Sequence, residues 1–450
     1  MQKIMTDDTI CAVSTAPGGA LAILRLSGPA SADIAEKVWF TAGVSLHKTA
    51  RVMRLGHALS PSGENCIAVF MPGPHSYTGE DVVELQCHGG NFAPERLLKA
   101  LLANGARLAD PGEFTRRAFL NGKMDLTQAE AVLDIIQART ADAVSLAERQ
   151  LSGALGRKIH EVSKELPGVL AEIESRLDFP EEDLNWRTSE ELVALIAPVM
   201  DKIRMLLAGG RAGAIIRNGV RLVIAGAPNV GKSSLLNRIL GYDRAIVTDI
   251  PGTTRDTVEE NAVIRGIHFR LTDTAGVRDD AADQVEVYGI ERSRESLRSA
   301  EVVIWLFDLM QDHEEQLREM KKLLASSECH AKIIHCWNKK DLAEKSGIYS
   351  CEISAETGDG VENLYDALAD AVFAESGDRE TESAIAQRHE KLLNEALTQL
   401  ESAVPEVYEE AWELAAVYIR EAIYDLGTIT GENATPDVLD EIFSRFCIGK

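Results

Sequence analysis

The chain passes through three textures of apolar and polar positions. Near its start, short runs alternate every second residue. Ala20-Leu-Ala-Ile-Leu-Arg-Leu26 predicts a strand entered from a Pro17-Gly18-Gly19 turn, and Asp81-Val-Val-Glu-Leu-Gln-Cys-His88 predicts a second. Ser31–Phe40 predicts a helix with Ser31 as N-cap, and Glu95–Asn104 a helix with Leu97, Leu98, Leu101 and Leu102 on one side. From about Lys123 the spacing lengthens to three and four, through Val132, Ile135, Ile136, Leu146, Leu151, Leu155, Ile159 and Leu166. That is long helical hairpin material, opened by Thr127-Gln-Ala-Glu130 as a capping box. Pro180-Glu-Glu-Asp183 breaks it, Ser189–Leu207 resumes it, and Gly209-Gly210 is expected to close it. The third texture is continuous. Leu222–Ala225, Val302–Phe307 and Lys332–Trp337 read as buried strands, with a further strand-like segment at His268–Thr272. After Phe373 a Ser376-Gly-Asp378 linker leads back to helical spacing in Ala384–Val404 and Val407–Tyr424, with Pro405 expected to separate them.

These textures predict a multidomain α/β plus α chain. An N-terminal α+β domain spans 1–120, a helical bundle domain is assembled from 121–217 and 377–450, and a nucleotide domain over 218–376 is inserted in it.

The insert opens on Gly226-Ala-Pro-Asn229-Val230-Gly231-Lys232-Ser233-Ser234, set between a strand and a helix. That is the P-loop in its required setting. Glycines let the backbone wrap a phosphate and aim N–H groups at it, and the helix N-terminus adds positive potential. Lys232 reaches the β- and γ-phosphates, and the Ser233 hydroxyl ligates magnesium. Three companions follow in order. Asp273-Thr274-Ala275-Gly276 offers a carboxylate to hold magnesium through water and a Gly276 N–H to sense the γ-phosphate. In Asn338-Lys339-Lys340-Asp341, the Asp341 carboxylate can accept from guanine N1–H and N2–H, a donor pair that adenine lacks. Ser354-Ala355 suits backbone contact with guanine O6. Together these motifs resemble the Ras-like GTPase family over roughly Asn218–Phe373, which implies a doubly wound domain that binds GTP and Mg2+.

Charge and cysteine usage narrow the partners. Among 450 residues the net charge is −24, so a generally basic nucleic-acid surface is excluded and any RNA contact is local. Arg116 and Arg117 form a small basic pair, expected to be solvated. Seven scattered cysteines fit a reduced cytosol, and neither a leader nor an apolar run near eighteen residues is evident, so a cytoplasmic protein without membrane attachment is expected. Cys329-His330 and His335-Cys336 suggest a metal cluster, but strand alternation sends His335 and Cys336 to opposite faces.

Outside the insert, Ile23-Leu-Arg-Leu-Ser-Gly28, Ser76-Tyr-Thr-Gly-Glu-Asp-Val-Val-Glu-Leu85, His88-Gly-Gly90, Pro111–Lys123, Asp125-Leu-Thr-Gln-Ala-Glu130 and the terminal Phe446-Cys-Ile-Gly-Lys450 resemble the MnmE (TrmE) tRNA-modification GTPases. The resemblance spans essentially the whole chain. It implies a homodimer whose N-terminal domain binds folate, and a larger complex with the flavoprotein MnmG. It implies that the pair adds an aminomethyl or carboxymethylaminomethyl group to C5 of the wobble uridine of certain tRNAs. The carbon would come from 5-formyl- or 5,10-methylene-tetrahydrofolate. By pattern alone Arg25, Glu84 and Lys123 are surface charges; the resemblance makes them, with Lys450, the folate-contacting set.

Ras-type enzymes orient water with a glutamine where this chain has Val277. The nearby carboxylates are Asp279, Asp280, Asp283, Glu286 and Glu291, and composition does not choose among them; the resemblance implies Glu286 as the catalytic group. Arg255 and Arg278 lie near enough for an arginine finger, whereas the resemblance implies a potassium ion. Asn229 would ligate it with its side chain, Thr248 and Ile250 with backbone carbonyls, and Thr253 would complete the site. Asp249, Pro251 and Gly252 belong to the same nucleotide loop, and Thr254 would meet magnesium and the γ-phosphate. Cys447, in the last four residues, is either a nucleophile near the folate or a packing thiol beside Phe446 and Ile448. The competing reading is a GTP-dependent ribosome-assembly factor, which has no use for the N-terminal domain or for the Cys447–Lys450 tail.

Overall fold

A computed structural model describes residues 7–41, 43, 45–179, 185–242, 260–272, 295–343, 347–373 and 385–450, with the side chains of residues 211, 242 and 272 outside it. The chain divides into two compact units. One holds Met1–Ile136, Glu148–Met205 and Arg388–Lys450; the other holds Gln137–Ala147 and Leu206–Gln387.

The first unit carries a seven-stranded sheet in the order β3-β4-β5-β6-β2-β1-β7. Its strands are β1 (Ile10–Val13), β2 (Leu21–Ser27), β3 (Trp39–Phe40), β4 (Arg54–Ala58), β5 (Asn65–Met71), β6 (Val82–His88) and β7 (Arg107–Leu108). All neighbours are antiparallel except β1 and β7. Alternation sends Ala22, Leu24 and Leu26 of β2 and Val83, Leu85 and Cys87 of β6 into one core, under the helices Ser31–Val38 and Phe92–Ala103. Arg25 and Glu84 therefore fall on the other face, and the register sets them directly opposite each other. The first helix differs from its predicted form. Ala30 is its N-cap, Ser31 is buried inside it, and Trp39-Phe40 leave it to form β3.

The rest of this unit is helical. The predicted long hairpin is instead a series of shorter pieces, Leu126–Gln137, Ala154–Ser163 and Leu166–Asp178 in this unit, and Ala141–Leu151, most of which belongs to the second. The late helix Trp412–Thr430 packs against Leu166–Asp178 and Ala154–Ser163, so early and late segments share one bundle. Two expected breaks do not occur. The helix Ser189–Asn218 runs through Gly209 and Gly210, and Gln387–Tyr408 runs through Pro405. A proline inside a helix costs about 3 kcal/mol. Leu393, Ala396, Leu400, Ala403 and Val407 keep one buried stripe on both sides of Pro405, which offsets that cost. The capping box also shifts. Asp125 Oδ1 accepts from the Gln128 N–H at 2.8 Å, and Gln128 Oε1 accepts from the Asp125 N–H at 2.9 Å. Glu130 is buried elsewhere, against Arg388 and His389.

The second unit is a five-stranded sheet in the order β12-β11-β8-β10-β9, made from β8 (Val220–Ala225), β9 (Glu260–Ile264), β10 (Ile267–Thr272), β11 (Val302–Asp308) and β12 (Lys332–Asn338). Only the β9–β10 pair is antiparallel. Both faces are covered, which explains the continuous apolar runs. Leu222 and Ile224 face the helices Lys232–Tyr242 and Val361–Phe373; Val223 and Ala225 face Met320 of the helix His313–Ser327. The central strand β8 thus ends at the point where strand order reverses, the usual ligand position in such sheets. Among the described residues no helix is long and apolar enough to cross a membrane.

Candidate functional site

The loop Gly226–Gly231 leaves the end of β8 and feeds the helix Lys232–Tyr242. Asn229 adopts a left-handed φ of 61°, which a short polar side chain tolerates, and it is exposed. Val230 is fully buried and anchors the loop. Lys232 Nζ donates to the carbonyls of Gly226 at 3.0 Å and Ala227 at 2.8 Å, so the ammonium spans the loop. Ser233 and Ser234 present exposed hydroxyls on the first helical turn.

Asn338 ends β12 and is 3% exposed. Its amide joins two elements. Nδ2 donates to Val230 O at 2.8 Å, and Oδ1 accepts from the Ala355 N–H at 2.9 Å. The phosphate loop and the base loop are therefore held together through one side chain. Lys339, at a left-handed φ of 68°, donates to the Asp308 carboxylate at 2.7 Å. Asp308 is buried at the end of β11 and also accepts from the Met310 N–H and Gln311 Nε2. Asp341 is exposed beside them, and Ser354 and Ala355 are buried in the following turn. The structure thus gathers Asn229–Ser234, Asn338, Lys339, Asp341, Ser354 and Ala355 at one end of the sheet. Thr248, Asp249, Ile250, Pro251, Gly252, Thr253, Thr254, Asp273, Thr274, Ala275, Gly276 and Glu286 lie outside the described residues.

A second constellation sits in the first unit. Arg25 Nε and Nη2 both reach Glu84 Oε1, at 2.9 and 2.8 Å. The guanidinium lies 5.3 Å from the Tyr77 ring centroid and 5.7 Å from that of Phe114. The chain terminus comes to the same place. The Phe114 N–H donates to Lys450 O at 3.2 Å, and the Gly112 N–H to Cys447 O at 3.4 Å. A Cβ on Gly449 would lie 2.4 Å from Val13 O, so only glycine lets the tail lie against β1. Phe446 is buried with Phe119, Leu126 and Phe443, while Ile448 is half exposed. Lys123 Nζ donates to Pro74 O at 3.0 Å, on the loop that carries Tyr77.

Pattern reading missed several residues of these sites. Arg117 is 3% exposed, not solvated: it binds Asp8 at 2.8 Å, Glu113 at 2.9 Å and Glu80 at 3.2 Å. Burial would raise the Asp8 and Glu113 carboxyls; hydrogen bonds from Arg107 and Arg117 outweigh it and hold both below their ordinary values. Arg116 pairs with Asp440. The Glu113-x-x-x-Arg117 spacing was the available signal. Arg238 of the helix Lys232–Tyr242, which binds the base loop, has no sequence signal at all.

A phosphate loop at a strand-order reversal, tied to an Asn-Lys-x-Asp segment and a Ser-Ala turn, defines a P-loop GTPase domain, here joined to an α+β domain and a helical domain. The family model described as the MnmE helical domain matches residues 126–447, and that described as the N-terminus of GTP-binding protein TrmE matches residues 9–123. The chain belongs to the MnmE (TrmE) family of tRNA modification GTPases, GTP-hydrolysing enzymes of tRNA modification. It is 40% identical over 463 residues to the tRNA modification GTPase MnmE of Natranaerobius thermophilus, across 99% of this chain and all 100% of that protein. With the MnmE of Akkermansia muciniphila it shares 41% over 459 residues, again 99% of this chain and 100% of that one. Among solved structures, the FeoB G-domain from Methanococcus jannaschii covers 34% of this chain and 97% of its own at 23% identity and a TM-score of 0.26, too slight a likeness to bear on function.

Proposed function

We propose that this protein is a GTP-driven timer of tRNA wobble-uridine modification. It acts in the cytoplasm as a homodimer complexed with the flavoprotein MnmG. The pair places an aminomethyl or carboxymethylaminomethyl group on C5 of the base. GTP hydrolysis supplies no carbon and no electrons to that base, so its part is to change conformation. The one-carbon unit is carried by 5-formyl- or 5,10-methylene-tetrahydrofolate. The observation that carries this reading is the seating of the terminal tail against Gly112, Phe114 and β1, beside the Arg25–Glu84 pair. A ribosome-assembly factor has no use for such an arrangement.

The residues present suit each ligand. Glu84 offers a carboxylate edge to the N–H donors of a pterin, Arg25, paired with it, offers N–H donors to acceptors of the same ring, Lys123 offers charge to the carboxylate tail, and Tyr77 offers a ring. Cys447 is only partly buried in the tail, which leaves its thiol open to the role of nucleophile. Ser233, on the first turn of the helix Lys232–Tyr242, would ligate magnesium, with Thr254 as its second protein ligand and Asp273 acting through water. The exposed Asn229 would be the side-chain ligand for potassium, completed by Thr248, Ile250 and Thr253. Glu286 orients the attacking water, since Val277 cannot.

Wobble nucleosides from cells lacking the protein should lose the C5 substituent by mass spectrometry while ribosome profiles stay normal; the opposite pair of results assigns the assembly role. Hydrolysis is expected to run at least about tenfold faster in potassium than in sodium, roughly 1.4 kcal/mol of barrier. Equal rates in the two salts remove the potassium site. Glu84→Ala is expected to weaken 5-formyl-tetrahydrofolate binding about 10- to 100-fold, the worth of a charged hydrogen bond. Calorimetric titration measures this, and unchanged affinity places the folate elsewhere.

A further inference from the structure

The base loop is held from a second direction by a residue that no motif contains. Arg238 lies on the helix Lys232–Tyr242, whose N-terminus forms the phosphate site. Its Nε donates to Ala355 O at 2.7 Å, and its Nη2 donates to Glu356 O. The guanidinium also lies against Gly358, where an added Cβ would stand 2.9 Å from Nη1, and Gly358 holds a left-handed φ of 92°. Two successive carbonyls and a glycine thus receive one planar fork.

The clamp fixes where the loop's donors point. The Ala355 N–H is already bound to Asn338 Oδ1. The carbonyl of Ala355 and the N–H of Glu356 belong to one trans peptide, so they point in opposite directions. Holding the carbonyl against Arg238 turns the Glu356 N–H to the far side of that peptide. The rest of the turn is closed by its own bonds: the Ser354 N–H to Asp359 O at 2.8 Å, the Gly358 N–H to Ser354 O at 2.8 Å, and the Thr357 N–H to Ser354 Oγ at 3.1 Å. Among the described residues, the Glu356 N–H donates to nothing.

We propose that Arg238 is a positioning residue for guanine recognition: it couples the phosphate-binding helix to the base loop and aims the backbone N–H of Glu356 at the carbonyl oxygen O6. This rests on the reading of Ser354-Ala355 as the O6-facing segment. The phosphate end and the base end of the nucleotide site are then joined twice, by Asn338 through Val230 and by Arg238 through its helix. Loss of Arg238 lets the peptides swing while the phosphate loop keeps its form. Affinity should fall through faster nucleotide release, and turnover at saturating GTP should stay near wild type.

The test compares GDP with 6-thio-GDP, which keeps N1–H and the 2-amino group but presents sulfur, a weak acceptor, in place of O6. The wild-type full-length protein should prefer GDP by about tenfold, the size of one good hydrogen bond. In Arg238→Ala, GDP affinity should fall about tenfold and the preference should shrink toward unity. Arg238→Lys, which can hold one carbonyl, should recover part of both. The GTP KM should rise with kcat unchanged. Equal weakening of both nucleotides would assign Arg238 a merely structural role and overturn the proposal, as would an unchanged preference. A wild type that binds both nucleotides equally overturns the O6 reading itself, and the proposal with it. Should Arg238→Ala not fold, Arg238→Lys decides by the same ratio.

Discussion

Gly231→Ala is expected to weaken guanine-nucleotide binding by about 100-fold or more while the protein still folds. Gly231 sits at a φ of 101°, where a side chain costs roughly 1–2 kcal/mol. The larger effect is on a neighbour. A Cβ built there lies 2.2 Å from Asn338 Nδ2, a distance that no rearrangement of the glycine alone relieves. Asn338 must move, and it gives up Val230 O and the Ala355 N–H together. Each lost bond leaves a buried polar group unpaired, at about 1–3 kcal/mol. Part of that total falls on folding, because both bonds tie elements of the fold together. The remainder falls on binding, since the same amide sets the spacing between phosphate loop and base loop. At about 1.4 kcal/mol per tenfold, a remainder of ~3 kcal/mol gives the stated loss. Fluorescent GDP titration measures it, with circular dichroism to show that the fold is kept. A dissociation constant within about threefold of wild type would contradict the role given to Asn338 as the joint of the site.

That joint shows where sequence reading stops. The P-loop is legible because its chemistry is local: two glycines, a lysine and a serine at fixed spacing after an apolar run. Asn338 is legible as a motif member, yet its reach to Val230 crosses 108 positions and no periodicity encodes it. The alternation of β2 and β6 put Arg25 and Glu84 on the faces opposite Leu24 and Leu85, but their direct apposition is a matter of register, which only the folded sheet fixes. Helix ends were the weakest reading. Gly209-Gly210 and Pro405 are breakers by intrinsic preference, and buried stripes overrode both; Gly210 even packs closely, where a Cβ would lie 3.4 Å from Ile385. The pattern predicts a solvated charge at Arg117 and a helix cap at Glu130. Both are buried charges with partners far along the chain, Asp8 for one, beside its helical neighbour Glu113, and Arg388 and His389 for the other. Local propensity describes a charged residue's neighbours in sequence, and for buried ion pairs those are at most part of the partner set.

Glu130 carries the second large prediction. It projects from the helix Leu126–Gln137 with its side chain 9% exposed. Arg388 Nε reaches Oε1 at 2.9 Å, Arg388 Nη2 reaches Oε2 at 3.3 Å, and His389 Nε2 reaches Oε2 at 2.6 Å. Arg388 also donates to the carbonyls of Thr428 and Ile429, so one carboxylate joins three helices of the bundle. Burial by itself would raise the Glu130 carboxyl; the charges and hydrogen bonds of His389 and Arg388 outweigh it and hold the group well below the usual carboxylate range. Glu130→Ala removes the shared acceptor and leaves two basic side chains facing each other, one of them fully buried. Breaking a buried pair from one side costs about 3–5 kcal/mol, and the first unit should unfold at correspondingly lower urea. Glu130→Gln keeps the shape but not the charge, and should fall between the two. The sign of the pH dependence follows from the lowered carboxyl. Its contribution is complete above the unfolded value near 4.5 and is lost as pH falls toward the folded one. The gap in urea midpoint between wild type and Glu130→Ala should therefore narrow as pH falls below about 4.5, because the other carboxylates are common to both proteins. A gap that stayed constant down to pH 3.5, or one that widened, would mean that Glu130 stabilises the bundle by its shape and not by its charge.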